Sequence, residues 1–369
     1  MEKVLVTGGA GFIGSHTVDR LLIEGLDVVV LDNLSHPNHN EGKIPNYLPI
    51  ENIQFIEGDV RDKELMKKAL QDVSIVYHFA AYQDYLPDFS KFFHVNSFST
   101  ALIYELVVEY SLPIKKIIVA SSQAVMGEGK HECKEHGDFI PDLRDERDLK
   151  NGLWEIKCPH CDGPIIHHTS DESVINPKNQ YAMSKYSQEQ IAINLGRQYE
   201  IPSVALRYSI VQGSRQSFSN AYSGVMRIFS LSLYNKHAPI IYEDGEQIRD
   251  FININDVVDA NLLMLETDSA DYNVYNVGGG IAYTVNEFYK RLASQYDTDI
   301  EPIRNGNYRH GDTRNIVSDI SKIKKLGWSP KRDLEESIIS YKEYLEEESP
   351  KDDVLNKALE TMKSLSVVR

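Results

Sequence analysis

Cysteine is scarce in this sequence, long apolar runs are missing, and positive charge falls short of negative. Only three cysteines occur in 369 residues, Cys133, Cys158 and Cys161, all in one short stretch. An odd count gathered in one place argues against a disulfide framework and makes metal ligation the better expectation. No run of about 18 apolar residues exists, so no membrane-spanning helix is expected. The first residues, MEKVLVTGGAGFIG, enter a strand-like segment without a signal-peptide pattern, and a cytoplasmic protein is expected. Lys and Arg number 39 against 55 Asp and Glu, a net charge of -16. Such a field repels a phosphate backbone and no basic cluster offsets it, so nucleic acid is a poor partner. Any anionic ligand must be held by a few placed donors.

What is present reads as an ordinary globular chain, 41% apolar and 25% charged. From residue 3 to about 120, short β-branched runs alternate with helical stretches, as parallel strands joined by crossover helices do. VLVT, DVVVLD, IQFIEGD, SIVYHFAA and KIIVASS are five such strands. Their near-continuous apolar character predicts an α/β doubly wound sheet covered on both faces. Residues 91–110 and 178–199 read as long helices, apolar on more than one stripe, as helices with two neighbours are. The expected division is 1–126 for nucleotide binding, 127–176 for a polar insertion holding every cysteine, and 177–211 for a helix returning to the sheet. A smaller α+β lobe then spans 212–346, and 347–369 is a charged tail.

TGGAGFIG sets Gly8, Gly11 and Gly14 at three-residue intervals between a strand and a helix. One glycine makes the turn, one lets the backbone approach a pyrophosphate, and one lets helix and strand pack closely. The helix N-terminus then faces the phosphates with unpaired N–H groups, and Phe12 and Ile13 are expected among the residues that bind the cofactor. A glycine turn alone is also a common structural feature, but here DVVVLD ends in Asp32, 18 residues beyond Gly14. A carboxylate there accepts the adenosine ribose hydroxyls and repels a 2′-phosphate, which favours NAD over NADP. Asp59 and Val60, after the next strand, are expected to flank the adenine.

Tyr181 and Lys185 lie four apart in YAMSK, on one face if the segment is helical. A neighbouring ammonium and a cationic ring favour the phenolate, which makes Tyr181 a candidate general base. Taken alone, such a pair is more often a solvated helix face. With the glycine turn, Asp32 and Ser122 at the end of the fifth strand, it acquires a chemical purpose.

These segments, with HFAA at 78–81 and ASS at 120–122, resemble the extended short-chain dehydrogenase/reductase family of nucleotide-sugar epimerases and dehydratases, over residues 3 to about 345. GEGK through CPHC to NQYAMSKYSQE, SNAYSGV, EDGEQIRDF and AYTV are most similar to its dTDP-L-rhamnose 4-epimerase group. The resemblance implies a Rossmann-type sheet and bound NAD touched by Asn33, Phe79, Ala80, Ala81 and Asn96 besides the glycine turn. It implies that Ser122 and Tyr181 act on a sugar hydroxyl while Lys185 holds the nicotinamide ribose. It places Tyr82, Gln83 and Gln123 beside the sugar, and Arg215, Arg249 and Arg314 on the nucleotide diphosphate, a role for planar forks of donors. Family dehydratases carry an acidic pair after the fifth strand where this chain has Gln123 and Ala124, which favours epimerisation at sugar carbon 4. Ile210 and Met126 also depart from the family pattern. The family pairs subunits through a four-helix bundle, so a homodimer through 91–110 and 178–199 is implied. A dehydratase or dehydrogenase with its acid elsewhere, and an inert NAD- and zinc-binding protein, remain as alternatives.

In the insertion, Cys133 and His136 are spaced C-x2-H, and Cys158 and Cys161 C-x2-C. Two short chelating loops can close a structural tetrahedral zinc site, with His131 and His160 as alternative ligands. Four protein ligands leave no open position for catalysis.

Overall fold

The computed structural model describes residues 2–39, 42–220, 224–309, 311–350, 360 and 368–369. Most of the expected tail, and residues 221–223 of SNAYSGV, lie outside the described residues. The five expected strands form as β1 (Lys3–Thr7), β2 (Asp27–Asp32), β3 (Gln54–Glu57), β4 (Ile75–His78) and β5 (Lys116–Ser122). Ser203–Tyr208 and Asn273–Val277 complete one seven-stranded sheet. Its order is Asn273–Val277, Ser203–Tyr208, β5, β4, β1, β2, β3, and every pairing is parallel. The order reverses between β1 and β4, which opens a crevice at the carboxyl ends of those strands.

Both faces of the sheet are covered, as the uniformly apolar strands require. Val4, Val6, Val28 and Val30 point into one buried cluster, and Leu5, Val29, Leu31 and Val76 into the other. Alternate residues of a strand face opposite sides, so each of these strands feeds two cores.

The segment 91–110 is not one regular helix. It runs as Phe89–Phe92, a wide π-wound stretch Phe93–Phe98, and Ser99–Glu109. The widened turns coincide with hydroxyl groups bonding back to the main chain, Ser99 to the Val95 carbonyl and Thr100 to that of Asn96.

The expected lobe 212–346 is also divided. Helix Ile254–Glu266 packs on helix Phe12–Ile23, and Asn273–Val277 returns to the parallel sheet. The reason is the apolar face Val257, Ala260 and Met264, which is buried in the sheet's own core. The true second lobe has a separate core of Met226, Phe229, Phe251, Phe288 and Tyr341, from helices Gly224–Tyr234, Val285–Gln295 and Leu334–Glu348 around short strands. The insertion holds a three-stranded antiparallel sheet with His131–Cys133 between Gly137–Phe139 and Ile166–His167. Its apolar support is small: Met126, Val174 and Ile316 form the one cluster beneath it among the described residues. No described helix is long and apolar enough to cross a membrane.

Candidate active site

A cleft of about 680 Å³ runs along the carboxyl edge of the sheet and under the second lobe. It gathers most positions expected from the sequence. The glycine turn forms one end. Gly8 takes a left-handed φ of 68°, and a Cβ there would lie 2.7 Å from the Ala80 main-chain nitrogen. A Cβ on Gly14 would run into the Gly8 carbonyl oxygen, whereas one on Gly11 would meet only that oxygen, at 3.2 Å. Two of the three glycines therefore permit close packing, and the third leaves the helix end open.

Gly11 caps helix Phe12–Ile23 without a side-chain hydrogen bond, and the first turn carries no acidic residue. Its free N–H groups and the positive end of the helix dipole suit a pyrophosphate. Asp32 closes the far side of the turn. Its oxygens accept the Ala10 and Leu34 N–H groups at 3.0 Å each, and His39 stands 3.8 Å away. A carboxylate has further lone pairs, so Asp32 can still accept ribose hydroxyls. Asn33, Asp59 and Val60 line the next part of the wall, with Asp59 held well below the usual carboxylate range by Arg61. Phe79, Ala80 and Ala81 line it beneath Gly8. These residues fit a dinucleotide.

Ser122, Tyr181 and Lys185 meet in the middle of the cleft. Tyr181 and Lys185 share one face of helix Gln180–Gln198, which starts at an Asn179 cap accepting the Ala182 N–H at 2.8 Å. The Ser122 hydroxyl hydrogen-bonds the phenol, and burial pushes Tyr181 up to about 12 against that bond. Burial pushes Lys185 down to about 7, with Glu189 opposing. The expected pairing of ammonium and phenol is not made in this form. Lys185 Nζ donates instead to the Ala120 carbonyl at 2.7 Å and to Gln188 Oε1 at 2.9 Å, 6.0 Å from the Tyr181 ring centre. Ser122 thus lowers the phenol against the larger effect of burial, and a cationic ring entering the cleft would lower it further.

Several expected residues sit elsewhere. Asn96 is fully buried and absent from the cleft wall; its side chain ties the Tyr82 main chain to Ser184 of helix Gln180–Gln198. It braces the site and does not face a cofactor. Arg314 is likewise off the wall, enclosed by Glu155, Glu243 and Asp244, so no donor is left for a diphosphate. Arg215 does line the cleft but is drawn to the cofactor end by Asp19 at 2.7 Å and lies over the Tyr47 ring. Arg249 lines the opposite end, its guanidinium 3.3 Å from Asp312. Tyr82, Gln83 and Gln123 line the region between.

Sequence reasoning missed Arg309, Tyr47 and Lys91. Arg309 lines the cleft, donates to the Tyr85 hydroxyl at 3.1 Å and lies over the Tyr242 ring. It stands five residues before Arg314 in an irregular segment, so residue type was readable but facing was not. Tyr47 donates to the Ala10 carbonyl at 3.0 Å from a loop whose spacing carries no signal.

Outside the cleft, one Nδ1 and three Sγ atoms of the insertion converge. His136 Nδ1 lies 3.5 Å from Cys133 Sγ and 3.5 Å from Cys158 Sγ, and Cys133 and Cys161 Sγ are 3.8 Å apart. All four ligand atoms lie within 4.8 Å of one another. Disulfides are excluded at that separation. A tetrahedral zinc with usual bond lengths has S–S edges of about 3.8 Å and N–S edges of about 3.6 Å. His131 and His160 do not join the group.

The comparisons agree with this geometry. The NAD dependent epimerase/dehydratase family matches residues 4–145 and 158–278. A dTDP-L-rhamnose 4-epimerase of Burkholderia thailandensis is 30% identical over 343 residues, 91% of this chain and 93% of that protein. The UDP-glucose 4-epimerase of Thermotoga maritima, solved with UDP-glucose, superposes with a TM-score of 0.76 at 30% identity, covering 94% of this chain and all of that one. That of Thermus thermophilus, solved with NAD, gives 0.73 at 28% identity, covering 93% and 99%. With a glycine turn, Asp32 and a Ser-Tyr-Lys set lining one cleft, the chain belongs to the NAD dependent epimerase/dehydratase family.

Proposed function

We propose that the protein is an NAD-dependent nucleotide-sugar 4-epimerase. The observation that carries this reading is a single cleft running from the glycine turn, past Ser122 and Tyr181, to Arg249 and Arg309 under the second lobe. A dinucleotide and a diphosphate-bearing sugar could meet in it at the phenol. When bound on Gly8, Gly11, Gly14 and Asp32, NAD would supply a reversible two-electron acceptor. Tyr181 takes the proton of the sugar hydroxyl at carbon 4 and returns it, and Ser122 orients that hydroxyl. Lys185, freed from Ala120 and Gln188, is within reach of a ribose. Beside them, Gln123 and Ala124 offer no acid for eliminating water, which favours epimerisation over dehydration. Incubation with a panel of UDP- and dTDP-sugars, followed by NMR, tests this: 4-epimers are expected, and a 4-keto-6-deoxy product or released NADH would overturn it.

Zinc at Cys133, His136, Cys158 and Cys161 belongs to the same proposal, as a structural ion pinning an insertion with little apolar support. Three thiolates kept for a metal suit a reducing compartment, which is the ground for a cytoplasmic placement. A homodimer is proposed on the exposed apolar side chains Phe93, Phe98, Val108 and Met183, all on the two helices expected to pair.

A further inference from the structure

Between the insertion and the second lobe lies a buried network of charges that the proposed chemistry does not use. Arg144 comes from the insertion and its side chain is 6% exposed, facing Glu243 of the lobe at 2%. The two bond through both ends of each group, Nη1 to Oε2 at 2.9 Å and Nη2 to Oε1 at 2.7 Å. Arg144 has further partners. Nη1 donates to the Trp154 carbonyl at 3.1 Å and Nη2 to the Asp312 carbonyl at 3.0 Å. Arg144 itself does not line the cleft, but Asp312 does, and its carboxylate meets Arg249 Nη2 at 3.3 Å. The other arm of Arg249 donates to the carbonyls of Ile248 at 2.9 Å and Arg314 at 3.2 Å. Glu128, from the start of the insertion, fixes that same segment by accepting the Arg314 N–H at 2.7 Å.

We propose that Arg144 is a positioning residue for the anionic end of the substrate: it pins the main chain at Asp312, and Asp312 orients Arg249, so the insertion sets affinity for a nucleoside diphosphate. The proposal rests on the nucleotide-sugar reading above. Arginine is required by the geometry. Four acceptors, the two oxygens of one carboxylate and two carbonyls, are met by one planar fork, and a lysine ammonium has three donors at a single point. Removing the side chain outright would strip Glu243 of its two-pronged partner and leave it buried with only the single Arg314 bond at 3.0 Å, a change that can unfold a protein. Two variants therefore bracket the role. Arg144→Lys keeps the charge and loses the fork, and Arg144→Gln with Glu243→Gln removes both charges together.

The full-length protein with its bound cofactor is titrated with UDP and dTDP by calorimetry, and NAD content, KM and kcat are measured beside it. Arg144→Lys is expected to weaken binding of the diphosphate by about tenfold, the scale of one charged hydrogen bond. NAD content and kcat should stay within about twofold while KM rises. If Arg144→Lys does not fold, the double variant is read in the same way. Native-like diphosphate affinity in a folded variant overturns the inference, as does loss of NAD or kcat in step with KM, the pattern of a merely structural role. If the native protein binds neither UDP nor dTDP, the nucleotide-sugar reading itself falls, and this inference with it.

Discussion

A phenol held at about 12 by burial is a poor base, so the chemistry at Tyr181 depends on what enters the cleft beside it. Tyr181→Phe keeps the ring packing and removes the proton acceptor. It should retain fold and NAD while losing epimerisation by roughly a hundred- to ten-thousand-fold, read from initial rates. Ordinary turnover would refute the assignment. Glu128 gives a second test at this scale. It is buried, and burial raises it to about 7 despite Arg144 and Arg249. A carboxyl raised above its unfolded value is stable when protonated, so its contribution is full below about 4.5 and is lost as pH rises through about 7. The Glu128→Gln protein has no such titration. Its stability relative to native should therefore grow between those pH values by on the order of 3 kcal/mol, measured as paired denaturant midpoints. A constant difference across that window would show that Glu128 does not titrate there. Tyr181 was legible in the spacing of YAMSK, whereas Glu128 was one acidic residue in a charged stretch, and Arg314 was expected on a diphosphate while Arg309 went unmarked. Only the fold shows that three carboxylates enclose one and two aromatic rings flank the other.

At the scale of elements, the readable parts were those with a strong period or an obligatory turn. The five strands, the glycine turn and helix Gln180–Gln198 form where the pattern puts them, because apolar runs and Gly8, Gly11 and Gly14 leave few other solutions. The π-wound stretch Phe93–Phe98 was not readable, since hydroxyl back-bonding at Ser99 and Thr100 leaves the apolar period unchanged. The return of Ile254–Glu266 and Asn273–Val277 to the first sheet was hidden for another reason: a buried apolar face does not say which core it joins. The insertion is the opposite case. It has almost no apolar pattern, and its ligand spacing was the one signal. If zinc supplies its missing stability, Cys158→Ser should abolish stoichiometric zinc, measured by plasma emission on the purified protein. It should also expose the segment between residues 127 and 176 to proteolysis while NAD stays bound. A native protein without zinc, or a folded variant impaired only in the chemical step, would reject a structural ion.

For the molecule as a whole, helix Gln180–Gln198 has two faces, one toward the cleft and one exposed. Tyr181 and Lys185 turn inward and are 9% and 1% exposed, while Met183, between them, turns outward at 42%. Beside it the neighbouring segment shows Phe89 at 57%, Phe93 at 38% and Phe98 at 44%. Scattered single apolar residues are ordinary on a surface, and the proposed homodimer rests on several of them lying on two adjoining helices. A two-fold axis there would set each patch against its copy, because an isologous contact uses the same surface twice. The pairing would also press on helix Gln180–Gln198 from outside and hold Tyr181 against Ser122. Replacing Phe98 and Met183 together by glutamate places like charges across such an axis. The expected result is a native dimer and a monomeric variant by sedimentation velocity at micromolar concentration. The variant should keep NAD, since the helix after the glycine turn packs on the opposite face of the sheet from these two helices, and should lose several-fold in kcat as the phenol loses its brace. A native monomer rejects the interface, and a monomeric variant with native kcat leaves the dimer standing but removes its hold on helix Gln180–Gln198.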